Sequence, residues 1–221
     1  MDLKHWNIVL SHLSDVSDWV PFFIFCLLPV EKRKEHKTLG AYLLLMSLFK
    51  TLTFLMISIK GHVNTYWLYH IMALVEVICL YFYLMPSLPL KRSLMYGVIS
   101  AVVLFNLANS LYIQNINEFN SNAWSINTIL LIAVALYYLF NFFSKLDLLE
   151  FEKSPTFMIT TGLLIYFSGS LFLYIVSSKV LTQQAQGFFH NAWLIHSCSD
   201  IIKSILLTFG LWLAKRKSMI L

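Results

Sequence analysis

Charged residues are scarce in this chain. Asp, Glu, Lys and Arg make up 12% of its 221 residues, whereas 58% are hydrophobic and 16% aromatic. Soluble globular domains carry about a quarter charged residues and about half apolar ones. The deficit of charge excludes an ordinary soluble domain and predicts an all-α integral membrane protein.

The chain also has few features that mark other classes of protein. Its three cysteines, Cys26, Cys79 and Cys198, all fall in apolar segments, so they indicate neither a disulfide framework nor a metal cluster. The N-terminus lacks the pattern of a cleaved secretory signal, and we expect the mature chain to keep it. The net charge of +5 comes from short loops rather than from one patch, so we predict no nucleic-acid partner.

Apolar windows of about 20 residues, the length that crosses a hydrocarbon core, are the dominant pattern. A shorter run at 19–30 would also span if its helix began near His12 and placed Asp15 and Asp18 in the outer headgroup layer. We therefore predict a single domain over residues 1–221, a bundle of seven transmembrane helices. Their ranges are 12–30, 39–60, 66–85, 94–113, 124–143, 156–178 and 190–213.

Lys and Arg are distributed unevenly between the two sides of the predicted bundle. Three loops and the tail that starts at Lys215 hold eleven of them, and the opposite side holds only Lys4, Lys60 and Lys179. Since cytoplasmic loops are enriched in these residues, we predict an outside N-terminus and a cytoplasmic C-terminus. The compact bundle with its short loops favours a plasma (inner) membrane. The short loops leave no room for a soluble catalytic domain.

Four charged residues lie near the centres of the apolar windows: Lys50, Glu76, Asp200 and Lys203. A charge at this depth costs about 2.5–3.5 kcal/mol on insertion scales, so each needs a partner or a function. Asp200 and Lys203 are three residues apart and can form an ion pair on one helix. Lys50 and Glu76 would then form a second ion pair between two helices. The exchanged pairing, Lys203 with Glu76 and Lys50 with Asp200, is equally compatible with their depths.

Further polar residues accompany these charges. His196 and Ser199 share a stripe with Asp200 and Lys203 on the last predicted helix, and Tyr69 shares a face with Glu76 on the third. The predicted ligand-binding site or buried polar network therefore comprises Lys50, Glu76, Asp200, Lys203, His196, His70, Tyr69, Ser199 and Asn106.

Two interpretations of this set stay open. The residues could form a buried network that fixes helix packing, or they could line a cavity. The number of ionisable groups at one depth favours the cavity. We expect a small or lipophilic ligand to bind between predicted helices 2, 3 and 7 of a sensor or receptor. It would act through a cytoplasmic or membrane signalling partner.

Two other functions remain as alternatives. The first is an intramembrane, metal-dependent hydrolase, for which His70, His190 and His196 are weak candidate ligands. His190 and His196 are six residues apart, whereas a metal-binding helix normally offers ligands at i and i+3 or i+4. The second is a proton- or ion-coupled transporter, although the repeats and broken helices typical of transporters are lacking. We predict no resident cofactor, with zinc, haem and retinal left as alternatives.

Two families of seven-helix proteins invite comparison. The pair Asp200 and Lys203 superficially resembles the aspartate and retinal lysine of microbial rhodopsins, but its spacing is three rather than four. Membrane hydrolases similar to alkaline ceramidases carry a His-x-x-x-His pair in the last helix, and the last predicted helix here has a different spacing. No motif in the chain is specific enough to assign a family.

Overall fold

The computed structural model describes residues 3–60, 63–145, 153–180 and 186–218. Side chains are described for these ranges except at 3–8, 60, 145, 176, 178–180, 186–192 and 217–218, so those of Lys4, Lys60 and Lys179 lie outside the description. All secondary structure in the described residues is helical. The α-helices are α1 Leu3–Ser17, α2 Trp19–Cys26, α3 Val30–Glu35, α4 Lys37–Lys60, α5 Tyr66–Leu84, α6 Arg92–Ala108, α7 Ser121–Lys145, α8 Pro155–Val180 and α9 Gln186–Ser218.

Six helical segments in the described residues are long and apolar enough to cross a membrane. Each coincides with one of the six long windows of the sequence, which confirms the prediction of a multi-pass helical protein. The segments are Lys37–Ile59, Tyr66–Ser87, Arg92–Ile113, Ser121–Ser144, Pro155–Ile175 and Trp193–Arg216. The second and third include a short 3₁₀ turn after α5 and a π turn after α6.

The first predicted helix, 12–30, differs from the structure. The chain forms α1 and α2 there, which meet at Asp18, and α2 ends at Cys26. Pro21 explains the break, because its ring lacks an N–H and would clash with the carbonyl of Ser17 in a continuous helix. Neither short helix is counted among the six long spans. A seventh crossing and the orientation of the termini stay predictions.

Helices α8 and α9 pack closely along small residues. A Cβ atom at Gly162 would lie 2.9 Å from the Cβ of Leu206, and one at Gly169 would collide with the hydroxyl of Ser199. Glycine is therefore needed for this approach. The close packing brings Tyr166 of α8 against the polar face of α9.

A cluster of buried leucines forms part of the hydrophobic core of the bundle. Its residues come from α4, α5, α8 and α9 and have at most 1% of their surface exposed: Leu39, Leu43, Leu80, Leu84, Leu163, Leu207 and Leu211. The polar residues lie further along the same helices. The core therefore supports the candidate site from one side.

Candidate functional site

Four charged side chains from separate parts of the chain form a closed ring of ion pairs, which we call the charge ring. Lys50 Nζ lies 2.7 Å from Asp18 Oδ2 and 2.7 Å from Asp200 Oδ2. Lys203 Nζ lies 3.0 Å from Asp18 Oδ1 and 2.6 Å from Asp200 Oδ1. Each carboxylate thus bridges both ammonium groups, and the ring joins the α1–α2 junction to α4 and α9.

The charge ring is formally neutral, and three of its members are buried, whereas the side chain of Lys50 is 14% exposed toward the cavity side. Asp18 and Asp200 have no exposed surface, and Lys203 has 1% exposed. Removing a charge from water costs several kcal/mol, which the attraction to its partners offsets only when the geometry is good and the remaining hydrogen bonds are made. The ring meets both conditions, since all four of its carboxylate oxygens contact an ammonium nitrogen.

Hydroxyl groups complete the coordination of the ring. Ser14 donates a hydrogen bond of 2.6 Å to Asp200 Oδ2, and Ser204 donates one of 3.0 Å to Asp18 Oδ1. The ammonium of Lys203 also donates to the hydroxyl of Tyr42 at 3.3 Å and lies 4.4 Å from the ring centroid of Tyr166. A desolvated cation over an aromatic face gains about 2 kcal/mol. The ring is therefore held by its neighbours as well as by its own charges.

The position of Asp18 corrects the expectation from the sequence. We placed Asp18 in the outer headgroup layer, but it lies in the charge ring with the two lysines of the predicted mid-membrane plane. The physical reason is charge balance, because two buried lysines need two carboxylates. Asp18, rather than Glu76, is the second acid.

Glu76 is buried beside the ring without belonging to it. Neither lysine forms an ion pair with it among the described residues, so both predicted pairings that involve Glu76 are wrong. Its Oε1 accepts a hydrogen bond of 3.4 Å from Tyr42, and its Oε2 has no partner in the described part of the chain. The hydroxyl of Tyr42 thus connects Glu76 to Lys203.

A cavity of about 60 Å³ lies next to the charge ring and shares Lys50 with it. This volume exceeds what one water molecule needs, so several waters or a ligand of a few heavy atoms fit. The walls come from α1, α4, α5, α7, α8, α9 and the segment before α7. They consist of Ser11, Ser14, Asp15, Met46, Lys50, Tyr69, Met72, Phe119, Trp124, Tyr166, Tyr174, Trp193, His196 and Ser197.

Aromatic side chains dominate one side of the cavity and support one another. The ring centroids of Trp124 and Tyr174 are 5.1 Å apart, and those of Tyr69 and Phe119 are 5.7 Å apart. Phe119 also stacks on Tyr174 at 6.2 Å. Such contacts hold the rings in place at separations typical of favourable aromatic pairs.

His196 lies in the wall between the aromatic side and the charge ring. Its Nδ1 shares a hydrogen bond of 2.7 Å with the hydroxyl of Ser170. Its ring is 5.3 Å from that of Trp193 and 5.6 Å from that of Tyr166. Among the described residues its Nε2 has no hydrogen-bond partner, and His196 is one of the residues that line the cavity.

Three of the predicted site residues lie outside both the charge ring and the lining of the cavity. His70 contacts the hydroxyl of Ser110 at 2.8 Å and the carbonyl of Glu118 at 3.2 Å. Asn106 and Asn127 exchange side-chain hydrogen bonds of 2.8 and 3.1 Å between α6 and α7. Ser199 packs at Gly169. The structure thus brings Lys50, Asp200, Lys203, His196 and Tyr69 to the ring or the cavity, with Glu76 adjoining the ring.

The metal hypothesis gains no geometric support in the part of the chain that the structure describes. Within it, no three His, Cys, Asp or Glu side chains form a group that could hold a metal ion. The side chain of His190, one of the three weak candidates, lies outside that part. His70 and His196 each have the separate hydrogen-bond partners given above.

Sequence analysis missed the contribution of α1. Ser11, Ser14, Asp15 and Asp18 follow one another at helical spacing, so one face of this short helix is polar. This pattern was the available signal. The apolar run at 19–30 instead determined the predicted membrane depth of this segment.

Comparisons of the chain with models of protein families, with curated proteins and with solved structures give no match.

Proposed function

We propose that this protein is a membrane receptor that binds a small ligand in the cavity beside the charge ring. The observation that carries the proposal is the dual position of Lys50, which lines the cavity and belongs to the charge ring. A ligand that contacts the cavity wall therefore acts next to the ion pairs that tie α1 and α2 to α4 and α9. The cavity volume favours a small ligand over a long lipophilic one.

The path from the cavity to a partner follows α9. This helix is described over Gln186–Ser218. It contributes Trp193, His196 and Ser197 to the cavity and ends in a basic segment with Lys215 and Arg216. A ligand that shifts α9 at the cavity also shifts this basic end, which is the predicted docking site for a cytoplasmic signalling partner.

A cavity-filling substitution tests the proposal. We would purify the protein in lipid nanodiscs, screen a library of small metabolites by thermal shift, and repeat each positive measurement on Ser11→Phe. The half-buried Ser11 lines the cavity, so a phenyl group there occupies ligand space. We expect at least one compound to stabilise the parent protein and to lose this effect in the variant.

Ser168→Phe is the matched control, because it makes the same change at an exposed position of α8. A stabilising compound that acts equally on both variants binds elsewhere. Such a result, or a library without any stabilising compound, would contradict the receptor proposal.

The two alternative functions, a metal-dependent hydrolase and an ion-coupled transporter, stay predictions. No contact in the described residues favours either function. Elemental analysis of the purified protein addresses the first, since stoichiometric zinc would favour the hydrolase.

A further inference from the structure

The two charged side chains in the cavity wall differ in how they are compensated. Lys50 contacts a carboxylate on each of two sides, both at 2.7 Å. Asp15, the other charged residue of the wall, belongs to none of the ion pairs of the described residues and interacts with Lys50 and His12 only at longer range. Burial raises the pKa of Asp15, and the charge of Lys50 opposes this rise. Because the charge ring is neutral by itself, Asp15 in its ionised form gives the cavity and the ring together an excess of one negative charge, which a bound cation would balance.

The aromatic wall has the chemistry that complements this excess. Six of the fourteen lining residues are aromatic, and their faces carry partial negative charge. Cations bind over such faces, most strongly when water is excluded. The six residues are Tyr69, Phe119, Trp124, Tyr166, Tyr174 and Trp193.

One cation of the protein already binds in this manner. Lys203 places its ammonium 4.4 Å from the centroid of Tyr166, and Tyr166 is also a cavity wall residue. The aromatic surroundings of the ring and the cavity are thus continuous. An ammonium group in the cavity would meet the same kind of surface with Asp15 as its counter-ion.

We propose that the ligand of the cavity is a small organic cation, a protonated or methylated amine, held by the Asp15 carboxylate and the aromatic wall. This inference rests on the proposed function, since it assigns a chemical class to the ligand of the same cavity. The cavity volume of about 60 Å³ restricts the ligand to few heavy atoms.

The test compares probes of similar shape and different charge. Trimethylammonium chloride, tert-butanol and sodium acetate are titrated separately into the nanodisc-embedded protein at constant ionic strength. Binding is followed by calorimetry and by tryptophan fluorescence, to which Trp124 and Trp193 of the wall contribute. We expect trimethylammonium to bind at least about tenfold more tightly than either other probe.

Two substitutions locate the binding. Asp15→Asn removes the counter-ion, and we expect it to weaken trimethylammonium binding about tenfold, whereas Glu118→Gln, at an exposed carboxylate of the loop before α7, leaves it unchanged. Tyr69→Leu removes one aromatic face and is expected to weaken binding severalfold. Its control is Tyr112→Leu, at a tyrosine with 86% of its surface exposed.

The outcomes separate this inference from the proposed function. Equal binding of tert-butanol, or unchanged trimethylammonium binding in Asp15→Asn, overturns the cation assignment. If Asp15→Asn does not fold, unchanged binding in Tyr69→Leu overturns it instead. A neutral or anionic compound that binds the parent and not Ser11→Phe overturns the cation assignment and leaves the receptor proposal supported. If no probe and no library compound binds, both proposals fail.

Discussion

The carboxylate of Asp18 lies 2.7 Å from the ammonium of Lys50, although the two residues are 32 positions apart in the sequence. Asp18 lies at the break between α1 and α2. This contact fixes the N-terminal helices to the side of α4. With Asp200 and Lys203 it closes a ring in which no member can be removed without leaving an excess charge in a buried place.

Loss of Lys50 is expected to destabilise the protein strongly. Lys50→Met leaves two buried carboxylates with one ammonium, and breaking a buried pair in this way costs about 3–5 kcal/mol. Unfolding in mixed micelles measures the change. Lys32→Met is the control, because Lys32 pairs with Glu35 at the surface and such pairs contribute about 0–1 kcal/mol.

A second substitution that restores the stability lost in Lys50→Met identifies the carboxylate that pairs with Lys50. Adding Asp18→Asn leaves Lys203 and Asp200 as a neutral pair, so we expect most of the lost stability to return. Adding Glu76→Gln is expected to restore nothing, because Glu76 lies outside the ring. Recovery with Glu76→Gln and not with Asp18→Asn would refute the ring.

Glu76 by itself is expected to be replaceable. Glu76→Gln keeps an acceptor for the Tyr42 hydroxyl and breaks no ion pair seen in the described residues, so the loss should not exceed about 1 kcal/mol. Asp200→Asn, an equivalent change in the ring, should cost about 3–5 kcal/mol. The same unfolding assay compares the two, and equal losses would show that Glu76 is paired.

The stability of the protein is expected to fall below about pH 6.5 through His36. This residue lies before the first long span, with its Nδ1 3.2 Å from the Tyr83 hydroxyl. Burial lowers the pKa of His36 below 6.5, against an opposing effect of Glu35 and with a smaller lowering effect of Lys32. The unfolded state therefore takes up the proton first as the pH falls, and folding stability is lost between the unfolded and the folded pKa.

Comparison with His36→Gln isolates this effect. The unfolding free energy of both proteins is measured from pH 8 to pH 5, so that the other histidines contribute to both curves. The parent should lose more stability than the variant across this interval. Parallel curves would mean that His36 does not titrate differently in the folded state.

The contact between α8 and α9 is expected to tolerate no added methyl group at Gly169. Gly169→Ala places a Cβ against Ser199, and overpacking of this kind costs about 1–3 kcal/mol. Ser199→Ala removes the colliding hydroxyl and should restore part of the loss. Gly97→Ala is the control, because a Cβ there meets nothing within 4 Å. Equal effects at both glycines would contradict the packing.

The sequence was sufficient to predict the six long apolar helices, because hydropathy over about 20 residues reflects the lipid environment directly. It also predicted that Glu76, Asp200 and Lys203 are buried, since a charge inside an apolar window has few other places to lie. Lys50 of the same set stays 14% exposed. Their partners depend on which helices are neighbours, and this is why Asp18 was missed and Glu76 was paired wrongly. Of the aromatic wall, the predicted site contained only Tyr69, because the six members of the wall come from five parts of the chain.

The partners of Asp18 bear on the order in which the protein assembles. Its carboxylate is bridged by Lys203, which lies 185 residues later in α9. A chain synthesised from its N-terminus therefore presents Asp18 long before this ammonium exists. The junction of α1 and α2 consequently cannot make all of its final contacts until α9 has been synthesised.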